Sequence, residues 1–164
     1  MQNASTVSPA ILDALYEEAL CLTEAARAEF TSARAAQPSL RADSLGDAAD
    51  SGTTARLTLS CEALRTTTRL MHAMAWLLNF RAYFSGELNA FQLRRFGRLP
   101  AAQALGSAEE LAALSAPARA VVETSCSLYD RLARLDEAFH RGFEVAPPAL
   151  ENLHNRIDRA FAAR

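Results

Sequence analysis

Asp136, His140 and Glu144 recur at four-residue intervals, which would set two carboxylates and an imidazole on one helix face where they could ligate a metal ion. Gly142 interrupts the helix before Glu144, and no second carboxylate-histidine motif completes a ferritin-like site, so the trio reads as a solvated helix end. His72 has the residue type of a general base, but beside Arg69 it reads as a surface or interface contact. The six glycines form neither a G-x-G-x-x-G nor a Walker spacing, so loops that cradle phosphate are absent. Cys21, Cys61 and Cys126 lack C-x-x-C spacing and read as small buried hydrophobes in a reducing compartment. No catalytic constellation stands out, and neither metal nor cofactor is expected. Arg94, Arg95 and Arg98, interleaved with Phe91 and Phe96, form the one dense basic patch. In a chain of net charge −2 it pairs with nearby carboxylates or docks an acidic partner surface rather than nucleic acid.

The elements that position these residues are helical. Ala and Leu dominate, and the β-branched aliphatics are only Val7, Ile11, Val121, Val122, Val145 and Ile157, which argues against a sizeable sheet. At 164 residues the chain fits one domain. Ser8-Pro9 opens a first helix over 8–36. An acidic loop follows over 37–52, then a central long helix over 53–85 that Gly86 stops. Asn89 with Gln92 and Ser107 with Glu110 have capping-box spacing, predicting short helices within 89–114. A third main helix spans 116–141, and 142–164 is a variable, weakly amphipathic tail. The expected fold is an all-α antiparallel three-helix bundle with short accessory helices.

Two heptad stripes share the central helix. One steps through Leu57, Cys61, Leu64, Thr68, Met71, Ala75, Leu78 and Ala82; the other through Leu59, Ala63, Thr66, Leu70, Ala73, Leu77, Phe80 and Phe84 on nearly the opposite side. A three-helix bundle needs one stripe per helix. The first stripe is assigned to the bundle core. The second is surplus, so Leu59, Leu70, Leu77, Phe80 and Phe84 are expected to form a homodimer interface. Between the seams Glu62, Arg65, Arg69 and His72 line up, with Trp76 and Tyr83 further along. Arg65, Arg69, His72 and Trp76 are the expected partner-binding strip, with Trp76 either anchoring a partner or capping the edge of the core.

The segment CEALRTTTRLMHAMAWLLNFRAYFSGEL resembles the alphaproteobacterial family named for the regulator of CtrA degradation, with its (E)SLRxTTRLM block at Glu62 to Met71, its WLLxxRA block at Trp76 to Ala82, and its turn at Gly86-Glu87. Leu15 to Phe30 and Ser127 to Glu137 resemble that family's first and last helices. The resemblance implies a non-enzymatic adaptor that helps the ClpXP protease recognise cell-cycle regulators, with ClpX or its response-regulator partner and the proteolytic cargo as partners. Its alternatives are a dimeric helical structural or regulatory protein without a protease connection, and a small helical metalloenzyme. MQNASTVSPA has neither a basic n-region nor an apolar h-region, and Leu70 to Phe84 is too short and polar to span a bilayer, so a cytoplasmic protein with no membrane partner is expected.

Overall fold

Three long helices pack together, and two short ones lie on the connection between the second and third. The computed structural model describes residues 8–36 and 47–145. The residues 37–46 of the expected acidic loop and 146–164 of the tail lie outside that description. Helix α1 is Pro9–Ala36, α2 Asp47–Phe84, α3 Ala90–Phe96, α4 Ala108–Ala112 and α5 Ala116–Val145, and no strand occurs among the described residues.

Local chemistry accounts for most of the boundaries. The Ser8 hydroxyl accepts the Ile11 N–H at 3.3 Å at the start of α1. Both capping boxes form: Asn89 and Gln92 exchange side-chain and backbone bonds at 2.9 Å, and Ser107 and Glu110 do so at 3.2 and 2.8 Å. Gly86, at φ 83, takes the left-handed conformation that ends α2. Two boundaries differ from expectation. Helix α2 begins six residues earlier than Thr53, at Asp47, so part of the expected loop is helical. Helix α5 continues through Gly142 to Val145, because a single glycine costs a helix only about 1 kcal/mol.

Side-chain pairings set the directions. Arg69, Trp76 and Phe80 of α2 meet Ser125, Asp136 and Phe139 of α5, so residue numbers rise together and the two helices run the same way. Arg81, near the end of α2, reaches Asp13, near the start of α1, at 3.1 Å, so α1 runs against α2. A parallel α2–α5 pair needs a crossover. Residues 97–107 supply it, with Arg98 beside Asp136 at one end and Gly106 beside Glu62 at the other. The Tyr129 hydroxyl donates to the Pro100 carbonyl at 2.7 Å and ties this return segment to α5. The Arg119 guanidinium gathers the carbonyls of Leu111, Ala112 and Leu114 at the end of α4.

The core runs between the three long helices. Leu12, Leu15, Ala19 and Leu22 of α1 meet Leu70, Ala73, Leu77 and Phe80 of α2 and Val122, Leu128 and Leu132 of α5. Its aromatic end is a cluster in which Phe80 stacks near Trp76, with centroids 4.0 Å apart, and meets Phe139 edge-on at 4.7 Å.

Candidate functional site

The polar strip of α2 is an inward face, because α5 and the return segment close over it. Glu62 is fully buried; one of its oxygens accepts the Gly106 N–H at 2.9 Å and pairs with Arg65, whose guanidinium is thereby held charged to still higher pH than usual. Arg69, 3% exposed, donates to the Ser125 hydroxyl at 2.6 Å, which in turn donates to the Val122 carbonyl. The Trp76 indole N–H donates to Asp136 at 2.8 Å with the side chain 2% exposed. Of the expected partner-binding residues, Arg69 and Trp76 are therefore interior, while Arg65 and His72 are half-buried. The reading of that strip as an exposed recognition surface is corrected. Glu62, Arg69 and Trp76 each find an internal partner, which offsets part of the penalty for burying them, although Glu62 Oε2, Thr66 Oγ1 and Arg69 Nη2 have none.

This closure carries a test. A Cβ on Gly106 would lie 2.6 Å from Glu62 Oε1 and 2.6 Å from Glu110 Oε2. Glu110 can swing away, but Glu62 is enclosed, so Gly106→Ala should cost about 1–3 kcal/mol in urea unfolding. Unchanged stability would mean that the return segment does not seal this face.

The dimer assignment is corrected on the same grounds. Leu59, Leu70, Leu77 and Phe80 lie in the core of the single chain, and of the five expected interface residues only Phe84 is exposed. The stripe assigned to the core is the outer one: Leu57 is 62% exposed, Leu64 68%, Met71 65% and Leu78 48%. Beside it an open groove of about 1070 Å³ runs between α1 and α2. Phe30 and Leu70 form its floor, and Met71, Met74 and Leu78 its α2 wall. Arg27 and Arg34 stand on its α1 side. Sequence periodicity missed Phe30, Met74 and the two arginines as a set. The available signal was that Trp76, Phe80 and Tyr83 all lie on the second-stripe side of α2, and aromatic side chains bury the most area.

The other chemical candidates fall as follows. Asp136 is buried, accepts from Trp76, and faces Arg98 at 3.6 Å and His140 Nδ1 at 3.3 Å; the Glu144 side chain lies outside the described residues. Among the described residues no group of three His, Cys, Asp or Glu side chains could hold a metal ion. In the basic patch Phe91 and Phe96 are exposed, Arg95 lies over the Phe96 ring at 5.4 Å, and Arg98 pairs with Asp136. Cys21 and Cys61 are exposed rather than buried, Cys61 because the first stripe faces outward. Cys126 is half-buried, and burial pushes its thiol up. Burial likewise raises the Tyr129 phenol. Among the described residues no helix is long and apolar enough to cross a membrane.

The sequence matches the family described as "Protein of unknown function (DUF1465)" over residues 3–161. The chain belongs to the DUF1465 family. No curated protein and no solved structure matches it. On this DUF1465 chain the exposed stripe and adjoining groove, apolar and built on two long helices, make a candidate binding surface. Contiguous apolar surface of this kind marks sites of protein association.

Proposed function

We propose that this DUF1465 protein is a non-enzymatic adaptor that binds partner proteins through the α1–α2 face and helps deliver cell-cycle regulators to the ClpXP protease. The observation that carries the reading is the outward stripe of Leu57, Leu64, Met71 and Leu78 beside an apolar groove, on a helix whose opposite face already closes the core. The resemblance of the Glu62–Met71 and Trp76–Ala82 blocks to the regulator of CtrA degradation family supplies the protease connection. The mechanism is tethering. By holding ClpX or its response-regulator partner together with cargo, the adaptor raises cargo concentration at the unfoldase without chemistry or a cofactor of its own.

The test is capture of purified ClpX, its response-regulator partner and a cell-cycle cargo by wild-type protein and by a Leu64→Asp, Met71→Asp variant. Both side chains are exposed, so the variant should melt like wild type. Capture should fall at least tenfold, because a carboxylate is costly in an apolar interface. Equal capture by the variant would reject the face, and no capture by wild type would reject the adaptor role.

A further inference from the structure

The groove has a shape and a charge that specify its occupant. We propose that it takes an acidic amphipathic helix from a separate protein, with Leu, Met or Phe at i, i+3 or i+4, and i+7, and Asp or Glu along one flank. This rests on the reading of the α1–α2 face as a docking surface and goes further by naming the chemistry of what docks.

Length and lining fit a helix. The groove extends from Thr23 to Ala35 on α1 and from Leu59 to Leu78 on α2, about 18 and 28 Å at roughly 1.5 Å per residue, or three to five turns. Phe30 and Leu70 offer a flat apolar floor, and Met71 and Met74 supply unbranched thioethers that adapt to different side chains, the composition of surfaces that receive helices. Among the described residues the only charged side chains lining it are Arg27 and Arg34, both basic, and no carboxylate lines it. Arg27 is engaged by Glu24 at 2.9 Å. Arg34 is exposed at the last turn of α1 with no ion pair among the described residues.

Charge decides against the occupants the chain itself could supply. A second copy docked groove to groove sets the same arginine-lined patch against itself. The segment after Val145 carries Arg156, Arg159 and Arg164 against Glu151 and Asp158. With more arginines than carboxylates, it matches an arginine-lined groove less well than an acidic helix does. An acidic flank offers both steering and a partner for Arg34, whereas the apolar face supplies affinity.

The experiment uses the full chain and three labelled peptides in fluorescence anisotropy. Two are sixteen-residue helices with one shared Leu and Met stripe, flanked by Glu in one and by Lys in the other; the third is the chain's own 149–163 segment. The Glu peptide should bind at least tenfold more tightly than the Lys peptide, with the gap narrowing at high salt. An Arg27→Glu, Arg34→Glu variant should reverse the order, and Met71→Asp should abolish binding of the Glu peptide. Equal binding of the Glu and Lys peptides overturns the proposal, as does tightest binding of the 149–163 peptide. So does a protein that sediments as a dimer, dissociates on Met71→Asp and ignores the Glu peptide. Capture of ClpX or its partner that is insensitive to the double arginine variant overturns the charge assignment alone and leaves the adaptor reading standing.

Discussion

Leu77→Ala and Phe80→Ala should each remove about 3–5 kcal/mol of stability, whereas Leu64→Ala and Leu78→Ala should change it by no more than about 0.5 kcal/mol. The four residues lie on one helix and carry similar apolar side chains, so propensity and composition predict no such split. Burial does. Leu77 and Phe80 are both 0% exposed, and Phe80 sits between the rings of Trp76 and Phe139. Truncation leaves a cavity that helices packed from both sides cannot collapse into. Leu64 and Leu78 face water, and removing them takes away no core contact. Because a small domain has about 5–15 kcal/mol in total, either core truncation consumes a large part of it. The same argument reverses the consequence of Leu70→Asp with Leu77→Asp. Rather than only separating a dimer, that pair should give an unfolded chain, with two carboxylates forced into the core. Urea unfolding followed by circular dichroism measures all of these, and a larger loss for Leu64→Ala than for Leu77→Ala would invert the face assignment.

Asp136→Ala should cost about 2–3 kcal/mol, the value of a hydrogen bond to a charged group together with the partner left unsatisfied. The Trp76 indole N–H would lose its acceptor inside the protein, where water cannot replace it. His140 would lose the carboxylate 3.3 Å from its Nδ1, although that nitrogen keeps the Asp136 backbone carbonyl at 2.8 Å. The pairing with Arg98 adds little, since Arg98 is largely exposed and screened. Trp76 is the single tryptophan, so its fluorescence reports the site directly. Emission should shift to the red in Asp136→Ala as the aromatic cluster loosens. Asp136→Asn retains an oxygen acceptor for the indole and should recover about half of the loss. Full stability in Asp136→Ala would show that Trp76 is held by packing alone.

What could be read from the chain and what could not separate along a physical line. Helical class follows from composition, since Ala and Leu dominate and six Val and Ile residues leave little material for a sheet. The capping boxes at Asn89 and Ser107 and the stop at Gly86 are local, made by residues within six positions of one another, and these formed where their spacing placed them. The inner and outer faces of α2 are not local. Two stripes of equal period run along that helix, and a hydrophobic pattern shows only that each is apolar. Pattern alone would also turn Glu62, Arg69 and Trp76 outward as a recognition strip. They point inward because other parts of the chain satisfy them: the Gly106 amide from the return segment, and Ser125 and Asp136 from α5. Those partners stand 44, 56 and 60 residues away, beyond the reach of any periodicity. The parallel course of α2 and α5 has the same origin, because helices joined by a long crossover have no fixed direction until the crossover packs. Sequence by itself determined that this chain is helical, where several of its helices stop and start, and that its central helix needed partners on more than one side. Tertiary structure alone decided which side became core, since only the assembled chain brings partners from α5 and the return segment to Glu62, Arg69 and Trp76, and thereby which apolar stripe remained outside.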